Sequence, residues 1–215
     1  NVLLPFLLLQ RGKLCRFLQN FVLFSVDVWS LQNRIKSAYF GIEGSFVSMI
    51  KILFICHGNI CRSPMAEFVF RKMAVDAGLS DHFIIASAAT TDEEIWNGCG
   101  NPVYPPVEQL LKAHGMDSDG KRAALLRRSD YSRYDYFIGM DEENLQDMKR
   151  IFHGDPAHKC SLLMDYTQNP RPVADPWYTR DFQKTWNDVD EGCRGLLAFL
   201  RHTEMIWGNT IEGRR

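Results

Sequence analysis

Lys51-Ile-Leu-Phe-Ile-Cys-His-Gly-Asn-Ile-Cys-Arg-Ser-Pro-Met-Ala-Glu67 is the stretch of this 215-residue chain that decides the fold. The run from Lys51 to Cys56 is short, apolar and rich in branched side chains, which is typical of a strand buried in a parallel sheet. Ser63 as a cap, Pro64 at the first helical position and an acidic residue in the first turn predict a helix that begins here. A glycine-containing loop therefore joins a buried strand to a helix N-terminus.

The chain downstream alternates between strand and helix patterns. Further strands are predicted at 82–87, 136–140 and 161–164, and helices at 64–77, 105–114, 142–151 and 180–202. Such alternation implies an α/β fold, in which helices cover both faces of a four-stranded parallel sheet. In an open sheet of this kind, ligands bind in the crevice at the carboxyl ends of the strands, where the loop of residues 57–61 lies.

Composition excludes several functional classes. Hydrophobic residues make up 46% of the chain and charged residues 24%, as in ordinary globular proteins, and the formal net charge of −1 gives no bulk field for nucleic acid or an anionic membrane. The six cysteines lack the spacing of a zinc site and are too few for a disulfide scaffold. We therefore expect free thiols, a cytoplasmic location and no bound metal or other cofactor.

Residues 1–48 differ from the rest of the chain. Their apolar runs at 2–9 and 17–29 are broken by polar residues or proline and fall short of the about 20 apolar residues that span a bilayer. We expect an N-terminal extension that packs poorly or is upstream sequence, with Met49 as the start of the domain and no membrane contact by the extension. The predicted domain covers 49–207. Residues 208–215 form a tail, in which Ile211-Glu-Gly-Arg214 matches an engineered protease site.

The loop carries the residue types that phosphoryl transfer to a thiol requires. Its backbone N–H groups and the following helix N-terminus can surround a phosphate, and the planar guanidinium of Arg62 can bind two phosphate oxygens. The same positive field favours the thiolate of Cys56, which makes it a nucleophile aimed at the bound anion. Gly58 and Asn59 are residues that tolerate the left-handed backbone angles of a tight loop. A buried structural cysteine beside a surface arginine is the alternative.

The string from Cys56 to Glu67 resembles the signature C-x-G-N-x-C-R-S-P-x-A-E of the low-molecular-weight protein tyrosine phosphatases. The similarity extends from Met49 to about Trp207 and includes Asp175-Pro-Trp-Tyr178. The resemblance implies a doubly wound four-stranded parallel sheet in the flavodoxin-like order. It also implies hydrolysis of phosphotyrosine in proteins through a phosphocysteine, without metal or cofactor, by a monomer or weak dimer.

The resemblance also implies the roles of individual residues. Asp175 matches the general acid and base, which bare spacing could not place near Cys56. The expected site residues are the catalytic group Cys56, Arg62 and Asp175; the phosphate-binding loop His57, Gly58, Asn59, Ile60, Cys61 and Ser63; the loop supports Ser87 and His114; and the substrate cleft Trp96, Trp177 and Tyr178. In the family, a cysteine at the position of Cys61 can form a reversible disulfide with the nucleophile.

Two other reactions and one inactive role compete with this interpretation. A phosphoarginine phosphatase on the same fold has threonine where Ile60 stands, and the aromatic cleft residues favour a flat phenyl group. Thiol-dependent arsenate reductases relay through a further closely spaced cysteine pair, which Cys99, Cys160 and Cys193 do not supply. An inactive anion-binding module would have lost a catalytic residue, and all three are present.

Overall fold

The computed structural model describes residues 49–203. The predictions for the N-terminal extension and for the tail lie outside the described residues, as does the end of the predicted domain. Within 49–203, no helix combines the length and the apolar character needed to cross a bilayer.

A four-stranded parallel sheet forms the centre of the fold. Its strands are β1 (Ile50–Cys56), β2 (Phe83–Ala89), β5 (Tyr136–Gly139) and β6 (Cys160–Leu162), in the spatial order β2-β1-β5-β6. Neighbouring strands are parallel throughout. The predicted doubly wound α/β fold is therefore confirmed, and the order reverses beside β1, where the chain winds first to one side and then to the other.

Five α-helices accompany the strands in the described part of the chain; four of them lie close to predicted helices, and the fourth in chain order was not predicted. They are α1 (Arg62–Asp76), α2 (Pro105–Ala113), α3 (Glu142–Phe152), α4 (Pro176–Thr179) and α5 (Phe182–Thr203). Two predicted bounds differ. The last predicted helix, at 180–202, begins two residues later, at Phe182, because Arg180 has a left-handed φ of 59°. The fourth strand ends at Leu162, and residues 163–166 form a 3₁₀ helix.

Alternate residues of β1 face two separate apolar layers. Ile52 and Phe54 belong to the larger core, which α1 and α5 cover. Leu53 and Ile55 belong to the smaller core on the opposite face, where Met148 and Phe152 of α3 pack. Because successive side chains of a strand point to opposite faces, a strand covered on both sides must be apolar at every interior position. The continuous apolar run before Cys56 follows from this burial.

The sequence pattern was not interpreted as a hairpin here, but the structure has a short one with two residues in each strand. β3 (Ile95–Trp96) pairs antiparallel with β4 (Cys99–Gly100) across a turn at Asn97 and Gly98, which both have positive φ. Asn-Gly is the sequence signal for such a turn. The hairpin follows β2 directly, so it extends from the same edge of the sheet as the loop of residues 57–61.

Candidate active site

The loop between β1 and α1 is held by its carbonyl groups. The carbonyl oxygens of Cys56, His57 and Ile60 accept hydrogen bonds from the amides of Thr90, Thr91 and Tyr104, at 3.0, 3.2 and 2.9 Å. Within the described part of the chain, no backbone amide from 58 to 62 donates a hydrogen bond. The loop is thus fixed from outside by its acceptors while its donors stay available for an anion.

Asn59 is the strained residue of the loop. It is buried with a φ of 56°, a left-handed conformation that costs about 1–2 kcal/mol for most residues. Its amide nitrogen donates to the hydroxyls of Ser63 and Ser87, at 2.8 Å each, and its amide oxygen accepts from the backbone of Ala124 at 3.0 Å. Three hydrogen bonds therefore hold the conformation in place.

A buried carboxylate extends this network away from the loop. The Ser87 hydroxyl donates to Glu67 at 2.6 Å, and Glu67 also pairs with Lys121 at 3.0 Å and Arg71 at 2.7 Å. Lys121 donates in addition to the carbonyl of Ser87 at 3.0 Å. Because the Ser87 hydroxyl donates its hydrogen to Glu67, the Ser87 oxygen acts as the acceptor for Asn59. The sequence reasoning quoted Glu67 as a helix-start signal and missed Lys121 altogether.

Ser63 differs from its predicted role as a helix cap. The helix α1 begins at Arg62, two residues before the predicted first helical position at Pro64, and Ser63 lies buried in its first turn. The Ser63 oxygen accepts from Asn59 and lies 3.0 Å from the sulfur of Cys56. Its hydroxyl hydrogen is therefore free to be donated to that sulfur. Ser87 pairs with Phe54 in the neighbouring strand, two residues before Cys56.

His114 does not lie in this network, contrary to the expectation that it supports the loop. It is exposed at the end of α2, and its ring stacks on Trp186 with ring centroids 3.9 Å apart. Gly115, with a φ of 74°, then turns the chain. The charged partner that the network requires comes instead from Lys121, further along the same connection.

Arg62 is buried between two carboxylates. It forms ion pairs with Asp141 and with Asp175, the latter at 2.6 Å. Each carboxylate also caps a helix: Asp141 accepts from the amide of Asn144 at the start of α3, and Asp175 accepts from that of Trp177 at the start of α4, both at 2.8 Å. The fold thus brings together Arg62 and the distant Asp175, as the family resemblance implied. Asp141, which follows β5, was missed as a partner.

Burial and nearby charges shift the pKa values of Cys61 and Arg62. Burial raises the pKa of the Cys61 thiol to about 12, and the negative charges of Cys56 and Asp175 add to this effect. Cys61 is therefore a neutral thiol at pH 7. Burial lowers the pKa of Arg62, but the charges of Cys56, Asp175 and Asp141 more than offset it, and the pKa lies above its usual value. The guanidinium stays charged throughout.

Two aromatic side chains, Tyr104 and Trp177, belong to residues that contact the loop and Asp175. Trp177 is half exposed and meets Tyr104 edge to face, with ring centroids 5.9 Å apart, while Arg180 lies over the Trp177 ring at 6.0 Å. Tyr104, which sequence reasoning missed, is tied to the loop through its bond to the carbonyl of Ile60. Trp96 on the hairpin and Tyr178 on α4 are 69% and 84% exposed. Exposed rings of this kind suit a flat aromatic ligand.

His57, the first residue of the loop, is partly exposed. The His57 ring lies 3.0 Å from the carboxylate of Glu93, and both side chains are exposed. An added Cβ at Gly58 beside it would lie 2.9 Å from the Glu94 side chain, so a side chain there would require Glu94 to shift. Among residues 49–203, no group of three or more His, Cys, Asp or Glu side chains is arranged to hold a metal ion.

Known proteins match this chain over the described fold. Residues 51–205 match the family described as low molecular weight phosphotyrosine protein phosphatase. The low molecular weight protein-tyrosine-phosphatase YfkJ of Bacillus subtilis is 33% identical over 160 residues, which cover 74% of this chain and 100% of that protein. A low molecular weight phosphotyrosine protein phosphatase of Sus scrofa is 36% identical over 157 residues, covering 70% of this chain and 95% of its own length.

Solved structures agree with the sequence matches. The crystal structure of YfkJ from Bacillus subtilis aligns with a TM-score of 0.67 at 34% identity, covering 72% of this chain and 96% of that one. The crystal structure of a drosophila arginine phosphatase aligns with a TM-score of 0.63 at 26% identity, covering 71% and 98%. Because the family match spans most of the chain and relatives above 30% identity are covered almost end to end, this chain belongs to the low molecular weight phosphotyrosine protein phosphatase family.

Proposed function

We propose that this protein-tyrosine-phosphatase hydrolyses phosphotyrosine monoesters in proteins through a phosphocysteine on Cys56, with Arg62 binding the phosphoryl group and Asp175 transferring protons. The arrangement of Arg62 is the observation that carries the proposal. A buried guanidinium in the first turn of α1 faces the nucleophile loop and contacts the aspartate that matches the family's general acid. In this proposal the nucleophile, the anion-binding guanidinium and the proton donor are neighbouring side chains of one site.

Substrate binding exchanges the partners of Arg62. Asp175 and Asp141 pair with the guanidinium in the free protein. An incoming phosphoryl dianion competes with Asp175 for its N–H donor and is bound in the two-oxygen geometry that arginine favours, while Asp141 keeps its own N–H donor and orients the guanidinium. Asp175 is then released from the guanidinium and is free to give a proton to the leaving oxygen.

The first chemical step forms a sulfur–phosphorus bond and breaks the phosphorus–oxygen bond to the phenol. The Cys56 thiolate supplies the electron pair, and Asp175 gives its proton to the leaving oxygen. In the second step Asp175, now a carboxylate, takes a proton from water as the water oxygen attacks phosphorus. The sulfur–phosphorus bond breaks, and the thiolate and inorganic phosphate are released. The loop amides and Arg62 stabilise the charge on the phosphoryl oxygens in both steps.

The competing reactions are less favoured. Burial raises the pKa of Cys160 to about 12 and that of Cys193 well above its usual value, so neither is a ready thiolate for the relay that arsenate reduction requires. For phosphoarginine, the apolar Ile60 and the aromatic rim of Trp96 and Trp177 favour a phenyl ring over a guanidino group. The free thiols of the described residues support a cytoplasmic location. We further propose a monomer or weak dimer.

The test is hydrolysis of p-nitrophenyl phosphate by the full chain and by matched cysteine variants. Cys56→Ser abolishes turnover, whereas Cys99→Ser, which alters an exposed thiol on the hairpin, leaves it unchanged. With phenyl phosphate, whose poor leaving group needs the acid, Asp175→Ala lowers kcat/KM by about 10²–10⁴, while vanadate still binds. Retained activity in Cys56→Ser, or loss of activity on adding a chelator, contradicts the mechanism.

Substrate class is tested with peptides that carry phosphotyrosine, phosphoarginine or phosphoserine in the same sequence. Phosphotyrosine is expected to give the highest kcat/KM, because its phenyl ring can stack on the aromatic side chains of Trp96 and Trp177. A clear preference for phosphoarginine would overturn the assignment of substrate while leaving the cysteine chemistry intact.

A further inference from the structure

The residue before Asp175 is held by side chains of α5. The amide of Ala174 donates to the carboxylate of Asp188 at 3.0 Å, and its carbonyl accepts from the hydroxyl of Thr185 at 2.8 Å. Both side chains are buried, with exposures of 2% and 0%. In most buried segments the backbone groups pair with other backbone groups. Here both polar groups of one residue are bound by two side chains one helical turn apart.

Burying the carboxylate of Asp188 requires compensation, and the structure provides it. Arg171 donates to Asp188 at 2.8 Å, and Lys184 pairs with it at 3.3 Å. Burial raises the pKa of Asp188, but the Ala174 amide and these two cations outweigh burial, so the pKa lies below its usual value. Asp188 is therefore ionised at neutral pH, and its hydrogen bond to Ala174 is of the stronger, charge-assisted kind.

The segment that carries Asp175 is pinned at both ends. Before it, the amide of Val173 donates to the carbonyl of Met140 at 2.9 Å, which ties the segment to the end of β5. After it, α4 is only four residues long, and the chain returns to the start of α5 at Phe182. Ala174 is the last fixed point before Asp175, so a shift of its peptide moves the carboxyl group directly.

We propose that Thr185 and Asp188 are positioning residues for Asp175, holding the Ala174 peptide so that the acid meets the leaving oxygen. The proposal rests on the proposed function, because it concerns the proton transfer assigned to Asp175 there. Neither residue touches the substrate. Their effect is expected only in the steps that need the acid or base, while the phosphate loop, which α1 and β1 hold, is unaffected.

The test compares two leaving groups in Thr185→Val and Thr185→Ser of the full chain. Valine keeps the side-chain shape and removes the hydroxyl, whereas serine keeps the donor. Phenolate is a poor leaving group and needs the acid; p-nitrophenolate is a good one and needs it little. For Thr185→Val, kcat/KM falls about tenfold with phenyl phosphate and less than about threefold with p-nitrophenyl phosphate, as expected for a misplaced acid. Thr185→Ser restores both values.

Controls separate positioning from a general loss of structure. Thr203→Val removes a hydroxyl bonded to the helix carbonyl of Phe199 at the far end of α5. It leaves kcat/KM unchanged for both substrates. Inhibition by vanadate stays within about twofold of wild type in Thr185→Val, because the phosphate loop is intact. Asp188→Asn, which weakens the other bond, gives the same selective loss with phenyl phosphate if Thr185→Val does not fold.

A double variant provides the decisive comparison. Adding Thr185→Val to Asp175→Ala changes kcat/KM by less than about twofold, because the substitution acts only through Asp175. Equal losses with both substrates, or a further loss in the Asp175→Ala background, would overturn the positioning proposal. Wild-type activity on p-nitrophenyl phosphate is measured alongside. Its absence would overturn the proposed function itself, whereas its presence with unchanged variants overturns only the positioning role.

Discussion

Lys121→Met tests whether the buried network behind the phosphate loop stabilises the fold. Lys121 donates to the Glu67 carboxylate and to the Ser87 carbonyl, both at 3.0 Å, and its side chain is only 17% exposed. Methionine keeps the length and the apolar stem of lysine while removing both hydrogen bonds and the charge. Glu67 would then retain Arg71 and the Ser87 hydroxyl as partners.

The magnitude follows from the groups left without a partner. A hydrogen bond to a charged group contributes about 1.5–3 kcal/mol, and an unpaired buried carbonyl costs about 1 kcal/mol or more. The remaining contact to Arg71 reduces the total, so we expect the free energy of unfolding to fall by about 2 kcal/mol. For a domain of this size that is a decrease in Tm of about 4–8 °C. A loosened Ser87 also weakens its hold on Asn59, so kcat/KM should fall as well.

The assay is urea denaturation followed by circular dichroism, with Lys72→Met as the matched control. Lys72 pairs with Asp76 on the surface of α1, where both side chains are well exposed, and such a pair contributes less than about 1 kcal/mol. If the two variants were equally stable, or if Lys121→Met lost stability without any change in activity, the coupling of this network to the loop would be refuted.

Two further predictions concern the site. Asp141→Asn keeps a residue that caps α3 but removes one charged partner of Arg62. We therefore expect kcat/KM for p-nitrophenyl phosphate to fall about tenfold while Tm changes little. An unchanged kcat/KM would show that Asp175 alone orients the guanidinium. The raised pKa values of Cys61 and Cys160, about 12 for each, mean that the folded state binds these protons more tightly than the unfolded chain does. Their contribution to the free energy of unfolding is complete below about pH 9 and is lost as the pH rises towards 12. Urea denaturation at several pH values would measure this loss. A free energy of unfolding that stays flat between about pH 8 and 10.5 in wild type, and that is no different in a Cys160→Ala variant, would contradict the prediction.

The strand, the loop and the first helix could be predicted because their signals are local. The apolar run before Cys56, the loop glycine and the Ser63-Pro64 pair lie within one short stretch, and local backbone preferences act over that range. The alternation of later elements was also readable, since each strand and helix carries its own periodicity. The short helix α4 and the later start of α5 were not, because Arg180 takes a left-handed conformation that its residue type does not signal.

Residues that act through distant contacts were harder to predict. Asp175 was placed through family resemblance, and the spacing of charges along the chain indicated neither it nor Asp141 as a partner of Arg62. His114 was expected to support the loop, yet it stacks on Trp186 while Lys121 provides the charge. A charged side chain shows its partner only when the chain is folded, since the long connections between strands can bring many alternatives to the same place.

The amino-acid sequence by itself determined the α/β class, the nucleophile loop at the end of β1 and the chemistry that a cysteine and an arginine in one loop can perform. Only the tertiary structure decided which carboxylates face Arg62, what holds Asn59 in its left-handed conformation, and how α5 holds the peptide before Asp175. The physical reason is range: backbone preferences act between neighbours in the chain, whereas ion pairs and buried hydrogen bonds act between groups that the fold brings within about 3 Å.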